Sequence, residues 1–303
     1  MGINGIRRDR LEPIVFNTLN GLFMLFLVIV TLYPFLHTLT ESFNEGNDTL
    51  RGGLYVWPRI WSLQNYRAVF ISGTIYHAAW ISVARTVTIT VLGVFLTTML
   101  AYTLAQPQYL FRKIIGLIFV LTMYFNAGLL PNYFLIKQLG LLNNFWVYIL
   151  PGMVNAFNLI VIRTYIKSLP GSLIESAKID GAGDFRIFIQ IIFPLCTPVL
   201  ATIALFIAVG SWNAWFDTFL YASSDINLST LQYEMMKLLG TTMNSNADPA
   251  LINGAAKDQA RAMVTPASIR AAITIVTAVP ILFVYPFLQR YFVVGLNLGS
   301  VKE

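Results

Sequence analysis

Long apolar stretches alternate with shorter polar ones along the chain. Six of these stretches are about 20 residues long, the length that an α-helix needs to cross the hydrocarbon core of a bilayer. The pattern therefore predicts an all-α polytopic membrane protein, with residues 1–303 forming a single transmembrane domain. The predicted spans are residues 16–36, 77–104, 113–134, 145–166, 195–221 and 269–289.

The composition agrees with this pattern. Of the 303 residues, 56% are hydrophobic and only 11% are charged, whereas soluble domains carry about 25% charged residues. The mean hydropathy is +0.67, and so much apolar surface cannot be covered in water. The net charge of +6 does not indicate nucleic-acid binding, because no basic aromatic face accompanies it. The single cysteine, Cys196, excludes an internal disulfide framework and a zinc cluster, and we expect it to be a small buried residue.

The N-terminus resembles a signal peptide, because three arginines (Arg7, Arg8 and Arg10) precede an apolar run. That run, residues 16–36, has the length of a membrane span, and no small-residue cleavage site follows it. We therefore predict that residues 1–15 form a cytoplasmic tail and that the first helix is retained.

Basic residues beside the spans predict the orientation of the chain. If the spans alternate in direction, most of these residues fall on one side, which is the cytoplasm by the positive-inside rule. Both termini are then cytoplasmic. Arg51, Arg59 and Lys257 fall on the outer side, but in long loops, where the rule gives them less weight. The cytoplasmic basic residues are Arg7, Arg8, Arg10, Arg112, Lys113, Arg163, Lys167, Lys178, Arg186, Arg290 and Lys302.

Two outer segments are large. Residues 37–76 contain WPRIWSLQNYRAVF, which is typical of an interfacial stretch with aromatic anchors. Residues 222–268 form a polar extracytoplasmic insert, in which AAKDQARAM is predicted to be a short exposed helix. This insert is either a contact for an extracellular partner or a solvated loop.

The longest cytoplasmic loop, residues 167–194, has the sequence features of an ordered element. Pro170 and Gly171 break the preceding helix, and Ser172 lies three residues before Glu175. This S-x-x-E spacing predicts a capping box, in which the serine and the glutamate each accept a backbone N–H of the other. A short helix is then expected over residues 173–180.

A tight turn and a second helix are predicted to follow. Gly181 is expected to end the first helix in the left-handed conformation, and small neighbours allow another surface to approach closely. Asp184 is predicted to cap the second helix, and Pro194 to start or kink the fifth span. The loop is thus a short helix, a glycine turn and a second helix, with no nucleophile–base pair and no metal-ligand cluster.

This loop resembles the signature of the membrane subunits of bacterial ABC importers. In that signature Glu-Ala-Ala is followed by three residues, a glycine, nine residues and Ile-x-Leu-Pro. Ser176 replaces the second alanine and Phe193 replaces the leucine, and both departures are mild. The matching positions are Glu175, Ala177, Gly181, Ile191 and Pro194.

Two further segments resemble the carbohydrate-uptake branch of that family. WNAWFDTFLY, residues 212–221, is similar to its fifth span. The segment 281–302 is similar to its C-terminus, which reads F-x-Q-R/K-Y-F-x-x-G-x-x-x-G-x-x-K, so the resemblance covers most of the chain. The matching C-terminal positions are Gln289, Arg290, Tyr291, Phe292, Gly295, Gly299 and Lys302.

The resemblance implies a type I importer permease fold in a bacterial plasma membrane. It implies a second, homologous permease subunit, two ATPase subunits that hold ATP and Mg, and an extracytoplasmic sugar-binding protein. The chain itself contains no G-x-x-x-x-G-K-[ST] phosphate loop, and the resemblance implies no cofactor bound by it and no enzymatic activity of its own. By the same resemblance the loop is a coupling helix that docks on the ATPase, through Glu175, Ser176, Ala177, Asp180, Gly181 and Ala182.

A sugar path needs polar groups and flat aromatic faces inside the spans, and the fifth span supplies both. The i+3 and i+4 spacing predicts that Trp212, Trp215 and Phe216 share one face. Asn213 and Asp217 form a neighbouring polar row. The alternative for the two tryptophans is an interfacial aromatic belt.

Polar residues in other spans are further candidates for the path. Arg85 is expected either to pair with Asp217 or to extend its side chain to the outer surface. Asn126 in the third span, and Asn155 and Asn158 in the fourth, either line a cavity or make interhelical hydrogen bonds.

Two other classes of membrane protein agree less well with the sequence. An ion-coupled secondary transporter for small solutes would favour internal repeats and acidic residues at the centre of the membrane, and both are scarce here. A membrane enzyme would need clustered catalytic groups, whereas His37 and His77 lie at outer span ends without metal-ligand spacing. We therefore predict a permease subunit of an ATP-driven importer of sugars, with oligosaccharides as the expected cargo.

Overall fold

The structure of the protein is a computed structural model that describes residues 4–71, 73–244 and 264–297. Within these ranges the regular structure is helical, apart from one isolated bridge between Asn44 and Trp61, so the predicted all-α class is confirmed. The helices are α1 (Asn4–Phe43), α2 (Gly46–Leu50), α3 (Gln64–Ile71), α4 (Thr74–Ala105), α5 (Arg112–Tyr124), α6 (Leu129–Gln138), α7 (Ala156–Ser168), α8 (Ser172–Ile179), α9 (Asp184–Ile187), α10 (Phe193–Leu195), α11 (Thr197–Asn213), α12 (Phe216–Tyr221), α13 (Leu231–Asn244) and α14 (Pro266–Asn297).

Three helices of the described part are long and apolar enough to cross a membrane. They are α1 over Val15–Phe43, the whole of α4, and α14 over Pro266–Phe283. These correspond to the first, second and sixth predicted spans. The helix predicted within AAKDQARAM, and the C-terminal positions Gly299 and Lys302, lie outside the described residues.

The third and fourth predicted spans are not single helices, so the prediction of continuous spans there is wrong. Residues 113–134 are divided between α5 and α6, and Gly128 just before α6 has a φ of +89°, which an L side chain rarely adopts. Residues 145–166 begin with a 3₁₀ turn, Phe145–Tyr148, and become α-helical only at Ala156. Proline in the intervening turn, at position 151, cannot donate a helical hydrogen bond.

The fifth predicted span is interrupted at both ends. At its start, the segment Asp184–Leu195 meets α11 at an angle of 80°. Pro194 and Pro198 lack backbone N–H groups, and the Pro194 carbonyl accepts a hydrogen bond from the Thr197 hydroxyl at 2.6 Å instead. At its end, α11 stops at Asn213 and α12 starts three residues later.

The described residues fall into two compact units. The first comprises residues 1–72 and 239–276, and the second comprises residues 73–238 and 277–303. In the first unit, the apolar part of α1 exposes large hydrophobic side chains all around the helix, including Phe16, Leu22 and Phe26. A helix that is apolar on every side is typical of one surrounded by lipid or by other helices.

A buried polar network follows α1 in this first unit. The Asn44 side chain donates to Asp48 Oδ2 at 3.0 Å and accepts from the backbone N–H groups of Arg59 and Ile60. Arg59 Nε also donates to Asp48 at 2.9 Å. The hydrogen bond from Asn44 and the Arg59 guanidinium lower the pKa of Asp48 below its usual value of 3.8, although partial burial opposes them. The network therefore holds the loop between α2 and α3 in one shape.

In the second unit, α4 is the central helix. It packs against α7 and α11, and the segment from α9 to α10 packs beside it. Cys196 lies fully buried in this core, as predicted for a small apolar residue. The buried core residues include Leu104, Leu159, Ile162, Ile187, Phe188, Ile192, Leu200 and Ile203.

One arginine ties together three helices at the end of α4. Arg163 of α7 donates from Nε to the Leu104 carbonyl at 3.1 Å, which satisfies an acceptor in the last turn of α4. Gly116 of α5 lies opposite, and a Cβ placed there would be 3.0 Å from the guanidinium. The absence of a side chain at Gly116 thus leaves room for Arg163 between α5 and α4.

Candidate functional site

The loop that resembles a coupling helix is ordered, and we call residues 172–195 the elbow. Its first helix, α8, begins at Ser172, with Gly171 as the capping residue and no side-chain cap. The Glu175 N–H bonds to the Gly171 carbonyl at 3.1 Å. The predicted capping box is therefore wrong, because Ser172 lies inside the first turn instead of before it. Glu175 is thus not engaged as a cap, and it is exposed.

The end of α8 agrees with the sequence prediction. Gly181 has a φ of +78°, the Ala182 N–H bonds to the Ala177 carbonyl at 2.9 Å, and the Gly181 N–H bonds to the Lys178 carbonyl at 3.0 Å. These two bonds form a Schellman motif, in which the residue just after the helix, here Gly181, adopts the left-handed conformation. The predicted glycine stop is confirmed, and it fixes the direction in which the chain leaves α8.

Asp184 has a different role from the predicted one. Gly183 occupies the capping position of α9 and no side chain caps that helix, so the prediction of an Asp184 cap is wrong. Asp184 lies in the first turn of α9, where a negative charge favours the helix dipole. Its carboxylate contacts Lys178 Nζ at 3.3 Å, which joins the two helices of the elbow. Both groups are well exposed, so this ion pair contributes little to stability.

The elbow has a buried side and an exposed side. Ile187, Phe188 and Ile192 are fully buried in the core of the second unit, and Ala177 is nearly so. Of the residues predicted to contact an ATPase, Ala177 is thus an anchor in this chain's own core. Ala182 is half-buried, and the exposed ones are Glu175, Ser176, Asp180 and Gly181.

Large apolar side chains lie on the exposed side of the elbow. Ile179 is 86% exposed and Phe185 is 65% exposed. They flank the glycine turn, and exposed side chains of this size next to a carboxylate are typical of a protein-binding surface. A π-helical turn, Phe188–Ile192, then leads into the bend at Pro194.

A second polar cluster surrounds Arg85 of α4, which is only 2% exposed. Its Nη2 lies 2.6 Å from Asp217 Oδ2, and its Nη1 donates to Asp217 Oδ1 and to the Ala214 carbonyl, both at 3.3 Å. Its Nε donates to Ser211 Oγ, and its guanidinium lies 4.6 Å from the centre of the Tyr148 ring. The predicted pairing of Arg85 with Asp217 is confirmed, and the alternative of an extended surface side chain is wrong.

The predicted aromatic face of the fifth span is wrong. Trp212 is buried, and its indole N–H donates to the Thr277 carbonyl at 3.0 Å. The helix is interrupted at Ala214, whose ψ of 122° is extended, so Trp215 and Phe216 no longer follow the helical spacing from Trp212. Trp212 is therefore a packing residue, whereas Trp215 and Phe216 stay at least partly exposed.

The asparagines predicted to line the path make hydrogen bonds to residues other than Arg85 and Asp217. Asn126 is exposed and accepts the Gly128 N–H at 2.9 Å, so it shapes the break between α5 and α6. Asn155 caps α7 by accepting the Asn158 N–H at 3.2 Å, and Asn158 is itself buried. Asn213 accepts from Gln232 Nε2 at 3.4 Å.

The start of the insert is attached to the Arg85 cluster by polar contacts that the sequence did not reveal. The Leu231 N–H donates to Ser82 Oγ at 2.8 Å, and the Tyr148 hydroxyl donates to the Leu228 carbonyl at 2.7 Å. The Thr218 and Thr230 hydroxyls lie 3.0 Å apart and are buried. A sequence signal existed for Ser82, since it lies in the same apolar span as Arg85.

Four aromatic rings lie together beside these contacts, and we call Trp215, Phe216, Phe219 and Tyr233 the aromatic cluster. Neighbouring ring centres are 5.6 to 6.4 Å apart. Lys237 lies over the Tyr233 ring at 4.9 Å. The structure thus extends the predicted pair Trp215 and Phe216 by two rings, one of them from the insert.

The two histidines make ordinary backbone contacts. His37 Nε2 lies 3.1 Å from the Leu54 carbonyl, and His77 Nε2 lies 2.8 Å from the Asn227 carbonyl. Within the described ranges, no group of three or more His, Cys, Asp or Glu side chains is placed to hold a metal ion.

Comparison with known proteins identifies the family. Residues 89–298 match the binding-protein-dependent transport system inner membrane component family, and the chain belongs to it. It is therefore a membrane-embedded transport subunit with the type I permease fold.

Particular relatives cover nearly the whole chain. The polygalacturonan/rhamnogalacturonan transport system permease protein YtcP of Bacillus subtilis (strain 168) is 34% identical over 280 residues, which are 92% of this chain and 96% of that protein. Protein LplC of the same organism is 37% identical over 289 residues, 95% of each chain. A chain of a bacterial ABC transporter involved in the import of the acidic polysaccharide alginate superposes with a TM-score of 0.75 at 30% identity, over 94% of this chain and 98% of that one.

Proposed function

We propose that the chain is a permease subunit of an ATP-driven importer of oligosaccharides in a bacterial plasma membrane. The observation that carries the proposal is the elbow, which exposes Glu175 and the Gly181 turn while Phe188 anchors it in the core. A transport subunit driven by a separate ATPase needs such an element, exposed on one side and packed against the spanning helices on the other. The names of YtcP and of the alginate importer support a carbohydrate cargo.

The proposed complex contains a second, homologous permease subunit, two ATPase subunits and an extracytoplasmic sugar-binding protein. ATP and Mg are held by the ATPase subunits, and this chain binds no cofactor. The family description, a binding-protein-dependent inner membrane component, supports this assignment of roles. The two permease subunits together form the translocation path.

The proposed topology has six crossings with both termini in the cytoplasm. The broken pairs α5 and α6, and α11 and α12, each count as one crossing, as does the segment from the 3₁₀ turn through α7. Broken helices are tolerated in a membrane where protein or a cavity covers the freed backbone groups. The elbow then faces the cytoplasm, and the Arg85 cluster and the aromatic cluster face outward.

The elbow is proposed to dock in a groove of the ATPase through Glu175, Ser176, Asp180 and Gly181, together with Ile179 and Phe185. This surface combines apolar side chains with a carboxylate that is not engaged in capping. On the outer side, Asn213, Trp215, Phe216 and Asp217 are proposed to lie beside the path, with Arg85 holding Asp217 in place.

The proposal is tested by reconstitution in proteoliposomes. The chain is assembled with its partner permease, and uptake of labelled oligosaccharides is measured with and without the ATPase subunits, ATP and the binding protein. We expect uptake only when all components are present. Uptake by the chain without ATPase subunits would instead favour the ion-coupled secondary transporter and would refute the proposal.

Docking of the elbow is tested by crosslinking. In a Cys196→Ala background, the variant Ile179→Cys should form a crosslink with the ATPase subunit. The variant Phe26→Cys in α1, also at an exposed position, serves as the control. Crosslinking at both positions, or at neither, would contradict docking through the elbow.

A further inference from the structure

The aromatic cluster presents an open face. Phe216 is 45% exposed and Phe219 is 50% exposed, although both belong to a short helix whose neighbour Thr218 is fully buried. Rings of this size usually lose most of their exposed surface in a folded domain. The rings of Phe216 and Phe219 therefore form an apolar surface that the described part of this chain leaves uncovered.

The foundation of this surface is rigid. Its fourth ring, Tyr233, belongs to α13, whose start is fastened by the contact from the Leu231 N–H to Ser82 Oγ and by the buried pair Thr218 and Thr230. Buried polar contacts of this kind hold one geometry, because leaving either partner unsatisfied costs free energy. The aromatic cluster is thus preorganised, which lowers the entropic cost of binding a ligand.

A cation lies at the edge of the cluster. Lys237 is 42% exposed on its side chain, lies over the Tyr233 ring and contacts Glu234 Oε1 at 2.5 Å. Glu234 is nearly buried and also accepts a hydrogen bond from Ser229 Oγ. An ammonium group carries three donors, so Lys237 keeps donors for a ligand after its contact with Glu234.

The geometry points to a carbohydrate subsite for acidic sugars, in which the aromatic cluster stacks on the C–H face of a sugar ring and Lys237 binds its carboxylate. The inference rests on the proposed function as an oligosaccharide permease. Flat rings match the apolar face of a pyranose, and a carboxylate complements the ammonium group. The alginate importer, whose cargo is described as an acidic polysaccharide, is consistent with a negatively charged ligand.

A lipid acyl chain is the competing occupant of the open rings. An acyl chain carries no group that complements the ammonium of Lys237 at the rim of the cluster, whereas a sugar carboxylate does. The observations therefore favour the sugar, and the lipid becomes one outcome of the test.

The test uses the complete complex in proteoliposomes, with ATP and the binding protein. The probes are trigalacturonate and trimannuronate, each beside the neutral trisaccharide made by reducing its carboxylates. The preference of the unaltered complex for acidic over neutral trisaccharides also depends on the specificity of the binding protein. Variants of this chain therefore decide whether the aromatic cluster and Lys237 contribute to that preference. The variants are Lys237→Met, Lys237→Arg, Glu234→Gln with Lys237→Met, Phe219→Ala and Phe26→Ala.

We expect Lys237→Met to lower import of the acidic trisaccharide about tenfold, as for loss of a hydrogen bond to a charged group. Lys237→Arg keeps the cation and should retain most of the import. The double variant leaves no buried unpaired charge at Glu234, and it should be as impaired as Lys237→Met. Phe219→Ala should also lower import, whereas the α1 control Phe26→Ala should not.

The outcomes separate this inference from the proposed function. Import of no trisaccharide by the unaltered complex would count against the proposed function itself and the subsite together. Import of neutral trisaccharides alone would overturn the acidic subsite and leave the permease function standing. Unchanged import in Lys237→Met and Phe219→Ala would assign the open rings to lipid. Recovery of acidic-trisaccharide import in the double variant would show that the defect of Lys237→Met came from leaving Glu234 buried without a charged partner. That result would also overturn the inference.

Discussion

The attachment of the elbow to the core depends on Phe188, which is 1% exposed. Its ring lies 5.8 Å from Phe95 and 5.7 Å from Tyr102, both on α4, and 5.9 Å from Phe193 in the next turn of the elbow. Phe188 therefore carries much of the contact through which a displaced elbow would move α4. Replacing it with alanine should loosen the elbow without changing its exposed surface.

The magnitude follows from burial. Phenylalanine-to-alanine changes in a core cost about 3–5 kcal/mol, through lost transfer free energy and the remaining cavity. Phe188→Leu keeps most of the volume and should cost about 1 kcal/mol. Phe185→Ala removes the same atoms from a side chain that is 65% exposed on the same elbow, and it should change stability very little.

The assay compares thermal unfolding of the purified complex with the number of ATP molecules hydrolysed per sugar imported. We expect the unfolding temperature to fall slightly in Phe188→Leu and strongly in Phe188→Ala. The latter should hydrolyse ATP with little import, because the ATPase moves an elbow that no longer moves α4. Equal stability and equal coupling in Phe188→Ala and Phe185→Ala would refute this reasoning.

Three further predictions concern other sites. Gly181→Val should reduce import without a clash, because no atom lies within 4 Å of a Cβ there and only the left-handed φ is strained, and Gly183→Val serves as the control in an uptake assay. Asp217→Leu alone should destabilise the complex by about 3 kcal/mol, because it leaves Arg85 buried without its partner, whereas Arg85→Met with Asp217→Leu should be nearly neutral. Additive effects in a thermal double-mutant cycle built from these two substitutions would contradict a coupled pair. Because folding lowers the pKa of Asp48, its carboxylate stabilises the folded state fully above its usual pKa, and this contribution is lost as the pH falls through its pKa in the folded protein. Pepsin should therefore cut near Asp48 faster at about pH 3 than at about pH 5. In Asp48→Asn the rate should change only by the intrinsic pH dependence of pepsin.

Local chemistry predicted the features that depend on neighbours in the chain. The left-handed stop at Gly181 needs only a helix end and a residue without a side chain, and both are visible in the sequence. The failed capping box at Ser172 has an equally local cause. The carbonyl of Gly171 already accepts the first helical bonds, so the helix starts one residue too early for the serine to cap it.

Contacts between distant residues explain what the sequence could not show. Hydropathy predicts α11 and α12 as one span, because residues 195–221 are predominantly apolar. The break at Ala214 is stabilised by Arg85, 129 positions earlier in the chain, whose Nη1 donates a hydrogen bond to the freed Ala214 carbonyl. The displacement of Trp212 from the aromatic face follows from that same break. The ring contact between Phe219 and Tyr233 was hidden for a similar reason, since the insert is held by side chains of α4 and α12.

The 80° bend at Cys196 determines how force would pass through the molecule. The segment Asp184–Leu195 and α11 meet nearly at a right angle. If both move as rigid bodies about the bend, a displacement along the first segment rotates α11 sideways and shifts it little along its own axis. Such a swing moves the far end of α11 most, and that end carries Asn213 and the approach to the aromatic cluster. A small stroke of the ATPase would thus be converted into the widening or narrowing of an opening at the other end of the lever.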